Sequence, residues 1–374
     1  MNPTYKSIAL FAILIFVGML SRRYNDALKK DEELNNYNAI QKYLLNDVTL
    51  GKSKKPILWI HVPYEYNSRK WESFGSRSSV DLNQPYMYLT ARSIIRQCEK
   101  DFTIVIIDDD SFEKLLPDWK IETKKLSDPI LSNIRKLGMM KLLYAYGGIS
   151  CPISFVCLKN MKSLYETGCA STCMFICETV NRNTTSSMTE FSPNIEFCGC
   201  RKESSMMKNL ISFMERTISQ DFTNETEFLG HFDRWCKMRI IKKQIYLFDG
   251  LCVGTKTTEG KGMCIENLLS NSHIHLDDDA YGIYIPHREI SKRITYGWFL
   301  RSSEQQILES NTMIGKYILL ANAPDSNKSL KESESDDKIK GSEKWISFWK
   351  TPLYPSLYGL KPLSLGSTIL STSV

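Results

Sequence analysis

The stretch IRKLGMMKLLYAYGGISCPISF, residues 134–155, decides the fold. Its first half carries leucines and methionines at helical spacing and closes on Tyr146-Gly147-Gly148. Glycine enters the left-handed backbone region without steric cost, so a glycine pair after an apolar helical run reads as a stop. The segment from Ile149 to Phe155 is β-rich and reads as a strand. The stretch is therefore a helix feeding a strand through a tight turn.

Working outward, PILWIHV (residues 56–62) is a strong strand that runs into a polar, Gly-containing loop through Ser79. Residues 86–97 read as a helix. FTIVII (residues 102–107) is a second buried strand and leads directly into Asp108-Asp109-Asp110. A helix over residues 129–146 then meets the twin glycines. Strand, helix, strand, helix, strand in this order predicts an α/β domain with a parallel sheet. Farther on, MKNLISFMER is helical, QIYLFDG and YGIYIP are strand-like, and GKYILLANA closes the folded region near Ala323.

At 374 residues and 42% hydrophobic content, the chain can bury a sizeable core. Its 48 basic and 42 acidic residues are mixed along the chain, for a net charge of +6. No basic block is interleaved with aromatics, so nucleic acid is not an expected partner.

Both ends carry a different signal. Residues 8–20, opening on Ile8 and closing on Leu20, form an uninterrupted apolar run with Lys6 before it and Arg22-Arg23 after it. It is shorter than the ~20 residues of a full span, yet no small-x-small cleavage site ends it. The expectation is a single-pass membrane anchor. Residues 21–54 come next as a stem, with Leu28, Leu34, Ile40 and Leu44 at periodic points. Sidedness stays open. The basic residues downstream place the main domain in the cytosol, whereas the sequons at Asn183, Asn224 and Asn327 would be glycosylated only in a lumenal domain. Residues 324–344 are rich in Ser, Lys, Asp and Glu and read as a disordered linker. The tail over residues 345–374 opens WISFWKTPLYPSLYGL; it either docks back on the domain or binds a protein partner.

Eleven cysteines leave at least one unpaired or joined to another chain. A zinc site would require paired clusters with tight spacing, and the chain has five histidines. Around Cys173, CMFICETV alternates like a half-buried strand, where cysteine acts as a small hydrophobe. Buried structural thiols are the expected reading, with disulfides and a metal cluster as the alternatives. No G-x-S-x-G, H-E-x-x-H or phosphate-cradling Gly-Lys-Ser/Thr pattern sits at a strand-to-helix turn. GTKTTEGKG (residues 254–262) reads as a polar hairpin.

Between about Lys55 and Glu215 the pattern resembles the nucleotide-sugar glycosyltransferases of the GT-A fold, in the group of α-mannosyl and capsular-polysaccharide type enzymes. KPILWIH is similar to that group's opening strand, DFTIVIIDDDS to its second strand and loop, and Leu143 to Gly148 carry its Leu-Tyr-x-Tyr-Gly-Gly intact. SPNIEFCG (residues 192–199) is similar to a loop that offers a small-residue platform beside the donor. The resemblance implies a GT-A-like mixed sheet flanked by helices over residues 55–323. It also implies donor contacts from His61, Arg135, Lys136, Gly147 and Gly148.

The same register puts the group's Asp-x-Asp on Pro152 and Ser154, its helix Asp on Lys136 and its helix Arg on Met139. Carboxylates at those two strand positions would hold Mn²⁺ or Mg²⁺ against the departing diphosphate, because hard cations take oxygen ligands. Proline offers no ligand and serine a neutral one. The expected cofactor is therefore none, with Mn or Mg returning only if the site is displaced. Asp108, Asp109 and Asp110 are the candidates for a displaced catalytic or metal site, since ligands gather at the C-terminal ends of parallel strands. Asp277, Asp278 and Asp279, just past His273 and His275, form a second cluster. The plain alternatives are that Asp110 caps the next helix and that the second cluster is a solvated turn. Arg135 or Lys136 could instead neutralise a diphosphate without metal.

Three functions are thereby in play: a degenerate glycosyltransferase kept as a binding or structural module, an active enzyme with a displaced or metal-free site, and a structural protein whose aromatic tail grips a partner.

Overall fold

The computed structural model describes residues 55–63, 84–126, 130–172, 174–182, 189–220 and 231–323. The anchor, the stem, the linker, the aromatic tail, Cys173 and the sequons at Asn183, Asn224 and Asn327 lie outside the described residues. Among the described residues no helix is long and apolar enough to cross a membrane.

In chain order the first half contains β1 (Ile57–His61), α1 (Tyr86–Cys98), β2 (Thr103–Ile107), the short α2 (Ser111–Leu115) and α3 (Ile130–Tyr146). Then come β3 (Gly148–Ser150), β4 (Phe155–Cys157), α4 (Lys162–Ser171), β5 (Met174–Arg182) and β6 (Thr189–Cys200). The second half continues with α5 (Ser205–Ser219), α6 (His231–Ile241), β7 (Tyr246–Phe248), α7 (Ile265–Leu269) and β8 (Gly282–Tyr284). The last helices are α8 (His287–Lys292), α9 (Gly297–Arg301), α10 (Glu304–Leu308) and α11 (Met313–Asn322).

The chain is α/β, with a mixed six-stranded sheet ordered β2-β1-β3-β6-β5-β7 and flanked by helices. β1 pairs in parallel with β2 on one side and with β3 on the other. The sheet is mixed, as expected: β1, β2 and β3 are parallel, and β6 runs antiparallel to both β3 and β5. The chain between β5 and β6 is too short for the dozen or more residues of a parallel crossover, so the two strands form a hairpin instead. SPNIEFCG is accordingly a central strand, not a loop.

Burial explains why the strands were legible. Residues 57–60 of β1 and 104–107 of β2 are all buried, as expected of strands covered on both faces. The crossover from β1 through α1 to β2 and that from β2 through α3 to β3 leave in opposite directions. Right-handed crossovers therefore put α1 and α3 on opposite faces. α3 packs against α5, whereas α1 packs against α11 and β4.

Gly148 makes the strand junction possible. At φ +104° a Cβ there would lie 2.0 Å from the Ile57 carbonyl oxygen, so only glycine lets β3 lie down on β1. Trp59, fully buried on β1, donates its indole N–H to the Gly147 carbonyl at 3.0 Å and ties the same turn.

The C-terminal third folds back on α1. β4 and β8 form a separate antiparallel pair, and Tyr86, Leu89, Val156, Ile283, Phe299 and Ile314 share one apolar cluster with it. Asn322 donates to the Leu89 carbonyl at 3.1 Å, joining the two ends of the fold. No disulfide joins any of the ten described cysteines, eight of which are buried.

Candidate functional site

The order β2-β1-β3 creates a switch point: connections leave β1 and β2 toward opposite faces, and ligands of open α/β sheets gather outside the carboxyl ends of such strands. His61 ends β1, and Asp108, Asp109 and Asp110 come after β2 beside it.

The three aspartates separate into different roles. Asp108 Oδ1 accepts from the Ser111 N–H at 2.9 Å and from the Ser111 hydroxyl at 2.6 Å, which fixes the start of α2. The helix cap expected of Asp110 thus falls to Asp108; the Asp110 side chain makes no capping bond. Asp109 turns toward α3, where Arg135 grips it through two nitrogens: Nε lies 2.9 Å from Oδ1 and Nη2 2.7 Å from Oδ2. His61 Nε2 meets the same Oδ1 at 2.9 Å, and its ring stacks on Phe112 at 5.3 Å. Burial works to raise the Asp109 pKa, but the hydrogen bonds from His61 and Arg135 outweigh it and hold the carboxyl below its usual range.

Lys136, the next residue along α3, reaches a different carboxylate. Its Nζ lies 3.7 Å from Glu196 Oε1, and Arg288 Nη2 approaches the same oxygen at 2.9 Å. Glu196 stands in a β-bulge: Ile176 faces Cys198 and Cys177 faces Asn194, so residues 195–197 of β6 have no partners on β5. Bulges re-aim side chains, and this one is sealed locally. Asn194 Oδ1 accepts the Glu196 N–H at 2.9 Å, while the Ser150 hydroxyl donates to the Glu196 carbonyl at 3.2 Å. Burial opposes the Glu196 charge, yet Arg288, Lys136, His287 and His61 together pull its pKa down to about 2. Burial pushes the Tyr284 hydroxyl up, with the Glu196 charge adding to the effect. Burial lowers His287 to about 4, aided by Arg288.

The positions matched to the Asp-x-Asp lie in the turn between β3 and β4, past the last β3–β6 pair, Ser150↔Cys198, and before the first β4–β8 pair, Phe155↔Tyr284. Pro152 offers a carbonyl that accepts from the Phe155 N–H at 3.0 Å. Ser154 is fully buried, and its hydroxyl makes no hydrogen bond among the described residues. Met139, where the resemblance expects arginine, is a buried core residue.

The structure therefore brings His61, Arg135 and Lys136 to one end of the sheet together with Asp109. It does not bring Gly147 and Gly148 there. They sit at the opposite, N-terminal end of β3, level with Ile57, and serve the turn. Among the described residues no group of three or more His, Cys, Asp or Glu side chains is placed to hold a metal ion. Asp277 closes a turn through the Asp279 N–H at 2.8 Å, and Asp279 is almost fully exposed with Lys159 beside it at 3.3 Å.

Glu196, Tyr284, His287 and Arg288 were missed by sequence reasoning. A faint signal existed for the first: Pro193-Asn194 inside an apolar strand marks a ladder irregularity. No protein-family model matches the chain, and no curated protein matches it either.

Proposed function

We propose that the domain is a GT-A-like glycosyltransferase module that is degenerate at its metal and donor site and is kept for binding or as a structural module, tethered to a membrane by residues 8–20. One observation carries this reading: the two positions after β3 to which the resemblance assigns carboxylates are Pro152 and the fully buried Ser154. The mixed sheet, the switch-point cluster and the intact Leu143 to Gly148 motif support the fold assignment. Without two oxygen anions at those positions, a divalent cation has no seat against a leaving diphosphate. The test is a thermal melt with Mn²⁺ plus UDP or GDP. No metal-dependent stabilisation is expected; a clear shift that disappears on chelation overturns the reading.

A second reading, an active enzyme with a metal-free site, is favoured by the basic side chains converging on Glu196. It predicts slow hydrolysis of a nucleotide sugar that is lost in Asp109→Ala or Lys136→Ala. Hydrolysis unchanged in both variants rejects it.

A further inference from the structure

The groups that act most strongly on Glu196 are all bases: Arg288, Lys136, His287 and His61. Two full cations, Lys136 and Arg288, converge on a single carboxylate oxygen. Asp109 does not share this duty, because Arg135 already matches it bidentately. The Lys136–Glu196–Arg288 group lies near enough to His61, at the carboxyl end of β1, for the two to interact, and ligands of open α/β sheets gather outside such strand ends. Arg288 is reachable, with its side chain 45% exposed, while Lys136 and Glu196 are each 20% exposed.

Another buried atom points the same way. His287 is 7% exposed, and its Nδ1 makes no hydrogen bond among the described residues. A buried polar atom left bare is costly, so such an atom beside a charged cluster marks a place for a water or a ligand group.

We infer that Lys136 and Arg288 form a metal-independent subsite for the phosphate of a phosphorylated ligand, with Glu196 as the internal carboxylate that the ligand displaces. This deepens the glycosyltransferase-like reading and rests on it for the nucleotide, but not for the phosphate. The bulge at residues 195–197 gives Glu196 its purpose: it gathers two cations at one point and leaves them ready for exchange. Arginine and lysine bind phosphate through charge-assisted hydrogen bonds, which are stronger than neutral ones. Because Glu196 competes with the ligand, removing its charge should tighten binding. A carboxylate that served as a metal ligand would behave in the opposite way.

The experiment is calorimetric titration of the full chain with pyrophosphate, UDP and GDP, each in EDTA and in Mn²⁺. Pyrophosphate should bind in EDTA, weaken about tenfold or more in Arg288→Ala and in Lys136→Ala, and tighten in Glu196→Gln. Arg288→Lys, which keeps the charge, should retain most of the affinity, and a thermal melt of each variant checks that it folds. The inference is overturned if pyrophosphate does not bind. Equal affinity in the wild type and both alanine variants overturns it too, as does binding that needs Mn²⁺ and is lost in Glu196→Gln. The two readings separate cleanly. If UDP and GDP bind no better than pyrophosphate, the nucleotide reading fails and the subsite stands. If they bind well but ignore all four substitutions, the subsite fails alone.

Discussion

Arg135 closes on Asp109 as a two-point fork, Nε at 2.9 Å from one carboxylate oxygen and Nη2 at 2.7 Å from the other. Both side chains are nearly buried, at 11% and 14% exposure. The pair joins α3 to the loop after β2, and so fixes the two crossovers that frame the switch point.

Breaking that fork should cost stability. Arg135→Ala leaves a desolvated carboxylate with one partner fewer, and about 3 kcal/mol is expected from urea denaturation. The Asp109→Ala, Arg135→Ala double variant should lose clearly less than the sum of the two single losses. Additive losses would show that the two residues stabilise the fold independently.

Acid should unfold the domain in two overlapping steps. His287, depressed from its ordinary value near 6.5 to about 4, is favoured neutral in the fold. Its contribution is complete above pH 6.5 and is lost as pH falls toward 4. Glu196, lowered from 4.5 to about 2, is favoured charged. It contributes fully above pH 4.5 and loses that contribution as pH falls toward 2. His287→Gln should flatten the stability profile between pH 6.5 and 4, and Glu196→Gln should flatten it below pH 4.5. Profiles parallel to wild type in both variants would contradict the assigned burial and ion pairs.

Two glycines with positive φ should respond differently to a methyl group. Gly148→Ala drives Cβ into the Ile57 carbonyl oxygen and should prevent folding or cost well over 3 kcal/mol. Gly260, at φ +79°, has open space around it, so Gly260→Ala should cost only about 1 kcal/mol of backbone strain. Soluble yield and denaturation midpoints compare them directly.

Carboxylates placed at positions 152 and 154 should not create a metal site. Ser154→Ala removes a buried hydroxyl that lacks a partner among the described residues and should be neutral or stabilising by about 1 kcal/mol. Ser154→Asp buries a charge at the same point and should destabilise by several kcal/mol. Mn²⁺ stabilising a Pro152→Asp, Ser154→Asp double variant would show the cation seat to be intact beneath the substitutions.

Much of the first half was legible in the sequence because buried parallel strands are continuous apolar runs, and ILWIH and TIVII have no other reading. Helix α3 declared itself through its apolar periodicity and its glycine stop. The reading failed where local pattern and tertiary role part. The helices α4 and α6 carry no clean apolar stripe in the text, and the mostly short helices from α7 onward owe their place to packing on α1. β6 passed as a loop because residues 192–199 were matched to a loop by resemblance, although they form a bulged central strand.

By itself, the sequence determined the α/β class and the strand and helix order up to β3. These arise from side-chain chemistry and from periodicities that a few neighbouring residues enforce. Only the tertiary structure decided that Asp109 belongs to Arg135 and His61, and that Glu196, from β6, gathers Lys136 and Arg288 from helices far apart in the chain. Such pairings depend on which strand ends become neighbours, and sheet order is set by long-range burial that no short stretch of sequence encodes.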